Sequence, residues 1–397
     1  MNPLILPDLK TETPSAILAP TPPLRSAWVE IDLKQLRENY RLIGLDKSAS
    51  VQIMSVLKDN AYGHGMVQIA RTALGCGATA LAVSTLDEGL TLRAQGIKSP
   101  ILLLGERQDA ELSWCIENRL TCCVQDHHTV EKLAMLAARY GKRFPVHLKI
   151  NTGMNRYGVR WSEASALAKR ISAETALVLE GALSHFSMSD ETDKTFALLQ
   201  LERFNQALSE MAAKDVRVKY RHLSNSGGFL DLPQARFDMV RIGLLQFGVY
   251  PSKVCRRIPG LAPVMTVKAK IAAIQNLQIN DCVGYGMRYQ ATSPRRIAVI
   301  PIGYGDGFPR MRNQGCALIG SKRAPLIGGV AMDALMVDVT EIPEAALWDE
   351  VVVMGRQGDE EISVHEVASW KNSVSYDVLT GWRERLPRVF LNGKTAR

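Results

Sequence analysis

Short apolar runs alternate with segments of helical periodicity through the first two thirds of the chain. There are eight of these runs: VQIMSVLK (51–58), TALAVST (79–85), PILLLG (100–105), LTCCVQD (120–126), PVHLKI (145–150), LEGALSHF (179–186), RVKYRHLSN (217–225) and FDMVRIGLL (237–245). Between them lie segments such as HTVEKLAMLAARYG (128–141), with apolar residues at positions i, i+3, i+4 and i+7. Strands that alternate with helices predict a parallel sheet, and eight such units favour a closed (β/α)8 barrel. An open doubly wound sheet is the main alternative, but its typical G-x-G-x-x-G sequence is missing after the first run.

The pattern changes near residue 260. Later runs such as RRIAVIPIGYG and EVVVMG are rich in β-forming residues and are separated by turns. We therefore predict a barrel over residues 27–260 and a mostly β domain over residues 261–397. The first 26 residues hold six of the 18 prolines and show no periodicity, which indicates a flexible N-terminal arm. This arm also lacks the basic start and the apolar stretch of a secretory signal.

The composition, 46% hydrophobic and 22% charged, is typical of a globular, soluble protein. No apolar run reaches about 18 residues, so we expect no transmembrane helix. The net charge is +8, but Lys and Arg are scattered, which disfavours nucleic-acid binding and favours anionic ligands. Seven cysteines without a C-x-x-C spacing indicate reduced thiols in the cytoplasm. Cys122, Cys123, His127 and His128 are close in sequence, but their spacing suits a tetrahedral zinc site poorly, and we expect no metal.

Polar residues collect at the ends of five of the eight runs, where (β/α)8 barrels carry their catalytic groups. They are Lys58, Lys149 with Arg156, His185, the SNSGG loop (224–228), and Arg241 with Gly243. The Ser/Gly loop after the seventh run and Gly243 within the eighth run match the place where such barrels bind phosphate. A lysine on the first strand of a phosphate-binding barrel suggests a Schiff base with pyridoxal phosphate or with a carbonyl substrate. The alternative is a lysine whose amine only reaches solvent at a strand end.

Nine stretches of the chain resemble motifs of the alanine racemases, in the order in which that family has them. VLKDNAYGHG (56–65) resembles the family's lysine motif for pyridoxal phosphate. The others are KINTGMNRYG (149–158), SHFSMSD (184–190), HLSNSGG (222–228), DMVRIG (238–243), VGYGMRY (283–289), IPIGYGDGFPR (300–310), AMDALMVD (331–338) and SYDVLTGWRERLPRVF (375–390). The likeness runs from residue 27 to residue 392 and spans both predicted domains, so a shared barrel fold alone does not account for it.

The resemblance implies which residues hold the cofactor and move protons. Lys58 would bind pyridoxal phosphate as a Schiff base and act as one acid–base group. Tyr285 would be the opposite acid–base group, reaching the site from the partner subunit of a homodimer. Arg241 would face the pyridine nitrogen and would be oriented by His185. The phosphate would be held by Tyr62, Ser226, Tyr376 and the backbones of Gly243 and Leu244, and Asn225 would help to shape that loop.

The resemblance also implies a substrate site. Arg156, Tyr304 and the backbone of Met332 would receive the substrate carboxylate, with Asp333 near the mouth of the site. Lys149 would be carbamylated and would position Arg156. An unmodified lysine there would repel the arginine, and a carbamate would reverse that interaction.

The implied function is a homodimeric alanine racemase that interconverts L- and D-alanine by a two-base mechanism and supplies D-alanine for peptidoglycan. Three departures from the family pattern leave a serine or broad-specificity racemase open. They are LLQFG (244–248) where ALYG is common, Ala334 where glutamine is common, and Asp59 where alanine is common. Two other classes compete. An amino-acid decarboxylase of the same plan would place a carboxylate where Arg241 stands, and a non-catalytic carrier of pyridoxal phosphate would lack the second domain.

Overall fold

A computed structural model describes residues 24–392 of the chain, and its first sheet is a barrel of parallel strands. The strands up to residue 242 are β1 (Ala27–Asp32), β2 (Gln52–Val56), β3 (Ala80–Val83), β4 (Ile101–Leu103), β5 (Thr121–Val124), β6 (Phe144–Asn151), β7 (Val159–Arg160), β8 (Leu177–Leu183), β9 (Tyr220–His222) and β10 (Met239–Ile242). Eight of them pair in the order β10-β2-β3-β4-β5-β6-β8-β9, all parallel, and the short β7 pairs with β6. Backbone bonds from Asp238 N to Arg221 O (3.2 Å) and from Arg241 N to Ser224 O (3.0 Å) join β9 to β10. The predicted (β/α)8 barrel is therefore confirmed, and it is nearly closed.

Helices alternate with these strands as the periodicity predicts. They are α1 (Leu33–Leu45), α3 (Met66–Gly75), α4 (Leu86–Ala94), α5 (Asp109–Glu117), α6 (His127–Arg139), α7 (Ala164–Ser172), α8 (Thr195–Ala213) and α9 (Ser226–Asp231), while α2 (Lys58–Tyr62) is a left-handed turn. Several begin at a residue whose side chain satisfies a free backbone N–H. Asp126 accepts from Thr129 N at the start of α6, and Thr85 and Glu88 form a capping box on α4. These caps help to fix where the loops before α4 and α6 end.

The second sheet is mostly antiparallel. Its further strands are β11 (Met265–Lys270), β12 (Ala273–Leu277), β15 (Arg295–Ile300), β16 (Cys316–Ile319), β17 (Lys322–Ile327), β18 (Leu335–Asp338), β19 (Glu350–Gln357), β20 (Glu360–Ile362) and β21 (Arg388–Leu391). They are ordered β12-β15-β18-β17-β16-β19-β11-β1-β21, with β20 on β19. A separate hairpin joins β13 (Cys282–Val283) to β14 (Tyr289–Gln290), and the last helices are α10 (Val364–Lys371) and α11 (Ser375–Gly381).

Strand β1 lies in the second sheet, although the sequence division placed residues 27–260 together in the barrel. It pairs antiparallel with β11, with Val29 opposite Val267, and parallel with β21, with Ile31 opposite Phe390. Its strand partners therefore lie more than 200 residues away in the sequence. Nothing in the local pattern of AWVEID distinguishes a barrel strand from a strand of the second sheet, so the sequence alone did not reveal which sheet β1 joins.

The predicted N-terminal arm covers residues 1–26, and residues 1–23 of it lie outside the described part of the chain. The last residues of this segment are bound to the second sheet unit. Arg25 donates from its two Nη atoms to both carboxylate oxygens of Asp306, at 2.7 and 2.8 Å, and Asp306 is fully buried. Within residues 24–392, no helix is long and apolar enough to cross a membrane.

Gln246 ties the end of the barrel to its first strand. Its side chain is fully buried, and its Oε1 accepts from the hydroxyls of Tyr40 and of Ser55, the latter at 2.7 Å. Its Nε2 donates to Val56 O at 2.9 Å. The unusual glutamine of LLQFG therefore faces the core around β2, two residues before Lys58, and it does not line the cavity described below.

Replacing Gln246 with leucine should destabilise the protein by about 3 kcal/mol or more, because two buried hydroxyls and one buried carbonyl lose their partner. Urea unfolding of wild type and Gln246→Leu measures this change. Gln278→Leu is the control, since that side chain is exposed and should cost less than about 0.5 kcal/mol. An equal loss in the two variants would contradict the role given to the buried amide.

Candidate active site

A cavity of about 310 Å³ opens where the barrel strands end. Eleven of the residues singled out in the sequence line it: Lys58, Tyr62, Lys149, Arg156, His185, Asn225, Ser226, Arg241, Gly243, Leu244 and Tyr376. Ten come from the barrel and Tyr376 from α11, so the second unit contributes to the wall of the cavity within the same chain. The sequence analysis missed several further lining residues, among them Ser84, Thr85, Glu106 and Arg107. Glu106 and Arg107 directly follow the third apolar run, PILLLG (100–105), and that position at a strand end was the available signal.

The run VQIMSVLK suggested that Lys58 ends a strand. In the structure, strand β2 ends at Val56, and Lys58 begins the turn that follows. Asp59, Asn60, Ala61 and Tyr62 all have φ between +50° and +56°, so this turn is left-handed. Such a conformation costs about 1–2 kcal/mol per non-glycine residue, and Asp and Asn tolerate it best. The preference of Asp and Asn for this region gives a physical reason for the aspartate that departs from the family pattern.

Contacts from outside the turn hold its strained backbone. Asp59 N donates to Glu88 Oε1 at 2.5 Å, and Asn60 Oδ1 accepts from Met66 N at 2.7 Å. Gly63 follows with φ +78°, and a Cβ there would lie 2.4 Å from Leu379 O of α11. Close packing between the two units therefore fixes the turn, and the turn places Lys58 and Tyr62 on the same cavity.

One end of the cavity combines hydroxyls with backbone N–H groups. Ser226 Oγ lies within hydrogen-bonding distance of Gly243 N (3.2 Å) and Leu245 N (3.3 Å). A Cβ at Gly243 would lie 2.7 Å from the hydroxyl of Tyr62, so only glycine leaves room for this tyrosine. Asn225 caps α9 by accepting from Gly228 N at 2.9 Å. These small, uncharged donors suit the oxygens of a phosphate group.

The two tyrosines of this end stay protonated. The rings of Tyr62 and Tyr376 have their centroids 6.5 Å apart. Burial raises the pKa of both hydroxyls above their ordinary value of 10. Both side chains are therefore hydrogen-bond donors near neutral pH, as an anionic ligand requires.

Arg241 is almost fully buried at the far side of the cavity. Its Nη1 donates to His222 O (2.7 Å) and His222 Nδ1 (3.1 Å). Its Nη2 lies within 3.0 Å of Ser184 O, Leu223 O and His185 Nδ1. The four N–H bonds of the two Nη atoms are thus occupied. Only the Nε–H is left without a protein acceptor within residues 24–392, and the cavity is where a ligand acceptor can meet it.

Five cationic side chains line the cavity, against one carboxylate, Glu106: Lys58, Arg107, Lys149, Arg156 and Arg241. Lys149 Nζ donates to Leu104 O at 2.9 Å and lies 5.2 Å from the centre of the Tyr157 ring. Burial, and then the charge of Arg156, lowers the pKa of Lys58 below its ordinary 10.5. Burial also lowers the pKa of Lys149. The site therefore favours anions and neutral amines, and the carbamate on Lys149 stays a prediction.

The other four predicted residues lie on the second unit and do not line this cavity in the described chain: Tyr285, Tyr304, Met332 and Asp333. Three of them lie together. Tyr304 N donates to Ala331 O (3.0 Å), Gly305 N donates to Met332 O (2.8 Å), and Arg385 bridges Asp333 to Asp306. Tyr285 is 82% exposed and Met332 is 52% exposed. A single chain therefore holds only part of the predicted site.

Two family models match the chain, each over one of its two units. "Alanine racemase, N-terminal domain" matches residues 31–251, and "Alanine racemase, C-terminal domain" matches residues 264–390. The chain belongs to the alanine racemase family. The alanine racemase of Syntrophobacter fumaroxidans is 39% identical over 368 residues, which cover 92% of this chain and 98% of that protein. That of Halothermothrix orenii is 36% identical over 369 residues, covering 93% and 97%.

Solved structures of the family share the whole architecture. An alanine racemase of Clostridium difficile has a TM-score of 0.90 at 31% identity, covering 94% of this chain and 97% of that one. The alanine racemase of Bacillus anthracis with bound L-Ala-P has a TM-score of 0.88 at 34% identity, covering 95% and 98%. A histidine racemase of Leuconostoc mesenteroides has a TM-score of 0.85 at 29% identity, covering 93% and 99%. A racemase named for a different amino acid, histidine, therefore shares this fold.

The lowered pKa of Lys58 can be measured in the cofactor-free protein. We expect labelling of this amine by an acylating reagent to rise with a midpoint below pH 10.5. Arg156→Gln removes a neighbouring positive charge and should move the midpoint to higher pH. Competitive labelling followed by mass spectrometry measures both. The exposed Arg160 is the control. A shift of equal size in Arg160→Gln would contradict the effect of the Arg156 charge on the pKa of Lys58.

Proposed function

We propose that the protein is a pyridoxal-phosphate-dependent alanine racemase that interconverts L- and D-alanine with two acid–base groups. The observation that carries this proposal is the pairing, in one cavity, of Lys58 with the free Nε–H of buried Arg241. Family membership and the names of the relatives support the reaction. The proposal includes the expected supply of D-alanine for peptidoglycan and the expected cytoplasmic location, which rest on the family and on cysteine usage.

The residues present fit pyridoxal phosphate. Lys58 would hold it covalently through its amine, while Arg241 Nε–H would donate to the ring nitrogen. The phosphate would bind to Tyr62, Ser226, Tyr376 and the backbone N–H groups of Gly243 and Leu244, within a loop shaped by Asn225. When bound, the cofactor would supply the electron sink that makes the α-proton of an amino acid acidic.

Inversion at the α-carbon requires proton removal on one face and proton return on the other. Lys58 Nζ would serve one face, and its lowered pKa favours the neutral amine that accepts a proton. Tyr285 would serve the other face from a second copy of the chain. Its exposure and its absence from the cavity of its own chain support an active site shared in a homodimer.

Arg241 would keep the reaction confined to racemisation. A guanidinium donates hydrogen bonds but does not readily give up its proton, so the ring nitrogen would stay uncharged and the electron sink would be weaker. A carboxylate in this place would have the opposite effect, as expected for the competing decarboxylase. The orientation of the guanidinium by His185 Nδ1, at 3.0 Å, supports this role.

The substrate carboxylate would be bound by Arg156 of one chain and by Tyr304 and the Met332 backbone of the other. Asp333 would lie at the mouth, where its bond to Arg385 holds it. A carbamate on Lys149 would then orient Arg156. The structural likeness to a histidine racemase favours one second candidate, a racemase with a broader or different amino-acid preference.

A panel of amino acids tests the function. The protein with pyridoxal phosphate should racemise L-alanine faster than serine and histidine, with an absorbance band near ~420 nm. Lys58→Ala should lose the band and racemise at least about 10³-fold more slowly, because the covalent hold and one base are both lost. Lys34→Ala, at an exposed position, is the control. Carbon dioxide release would establish a decarboxylase, and binding of the cofactor without turnover would establish a carrier.

Mixing two inactive variants tests the shared site. Lys58→Ala and Tyr285→Phe each damage every site of their own homodimer. In a mixed dimer one site contains both substitutions and the other contains neither. Co-expression in equal amounts should therefore restore about a quarter of wild-type activity, since half of the dimers are mixed and each has one intact site. Recovery no greater than the sum of the two separate variants would show that both groups act within one chain.

A further inference from the structure

A line of polar contacts leads from Arg241 away from the cavity and through the barrel interior. His222 Nδ1 accepts from Arg241 Nη1 at 3.1 Å, and His222 Nε2 lies 2.8 Å from His147 Nδ1. His147 Nε2 faces the carboxylate of Glu180, with 3.6 Å between Nε2 and Oε2. His147 and His222 are buried, whereas Glu180 is partly exposed. The line therefore connects the guanidinium in the site to a carboxylate near the surface.

The chemistry of arginine determines where each proton of this line lies. A guanidinium only donates, so His222 Nδ1 is an acceptor and its single proton is on Nε2. That Nε2–H donates to His147 Nδ1, which places the proton of His147 on Nε2. Burial lowers the pKa of His222 well below its ordinary value, so the ring is neutral and this assignment is unique. Each donor points toward Glu180.

The backbone of β8 leaves room for the side chain of His147 on β6. In the pairing of β6 with β8, Val146 is opposite Leu179 and His147 is opposite Gly181, so Glu180 is an extra residue in a bulge. A bulge of this kind changes the direction of a side chain. A Cβ at Gly181 would lie 2.6 Å from His147 Nδ1, so the ring needs glycine at this position.

Glu180 also adds negative charge near a site that is mostly cationic. Lys58, Arg107, Lys149 and Arg156 all line the same cavity as Arg241, with Glu106 as the one lining carboxylate. The His147 ring, with its Nε2 at 3.6 Å from Oε2, is the main cause that lowers the pKa of Glu180, so this carboxylate is charged near neutral pH. A charge at the end of a line of aligned hydrogen bonds polarises each member of it.

We propose that Glu180, His147 and His222 form a relay of positioning residues that holds the proton on Arg241. The relay excludes the tautomer of His222 that would present an N–H to the guanidinium. Its catalytic consequence rests on the proposed function, since it would prevent Arg241 from sharing its proton with the ring nitrogen of the cofactor. Its arrangement of protons does not depend on that function.

The proton arrangement is tested by ¹⁵N NMR of the full-length protein with labelled histidine. The chain has seven histidines, and His147→Gln and His222→Gln assign the two signals. Both rings should be neutral and carry the proton on Nε2. A proton on Nδ1 of His222, or a charged ring in either residue, would overturn the relay.

The catalytic consequence is tested with Glu180→Gln, which removes the charge and keeps the shape. With pyridoxal phosphate and L-alanine, we expect pyruvate formed per racemisation event to rise about fivefold, with KM changed less than about twofold. Glu163→Gln, an exposed change at the start of α7, is the matched control. Equal pyruvate yields in the two variants would refute the relay's effect on catalysis. A wild-type protein that neither racemises alanine nor forms pyruvate would instead refute the proposed function, and the NMR result would still stand.

Discussion

The buried guanidinium of Arg241 is the interaction on which the barrel and its site both depend. Burying a charge costs several kcal/mol unless hydrogen bonds compensate for it. Here the backbone carbonyls of Ser184, His222 and Leu223, at the ends of β8 and β9, accept from a side chain that β10 carries. The same contacts close the part of the barrel where the β9–β10 ladder is weakest. Because all Nη protons are used in this way, the remaining Nε–H is available to the cavity.

The turn at Lys58–Tyr62 shows a second dependence, in which strain is balanced by contacts from the other unit. A run of left-handed residues is unfavourable alone. Glu88 of α4 binds its backbone on one side, and α11 of the second unit packs against Gly63 on the other. The lysine and the tyrosine of this turn therefore reach their places only when both units are folded. The left-handed conformation of this turn and the packing of the two units therefore depend on each other.

The distribution of charge differs between the barrel cavity and the second unit. The barrel half is rich in cations, whereas in the second unit Asp306 and Asp333 are paired with Arg25 and Arg385. These pairs hold the loop that carries Tyr304 and Met332 on a face that remains exposed in the described chain. A ligand with a phosphate and a carboxylate would complement the barrel half, and a second copy of the chain would bring the remaining groups.

The sequence alone determined the barrel, eleven of the residues that line its cavity and the second sheet, because these depend on local periodicity and on motifs shared with the family. It did not determine the sheet of β1, whose partners are more than 200 residues distant. The left-handed turn, the role of Gln246 and the line from Arg241 to Glu180 were also decided by the tertiary structure. Each requires side chains from elements that are far apart in sequence. Periodicity reports which face of an element is buried, but only packing decides which polar groups meet there.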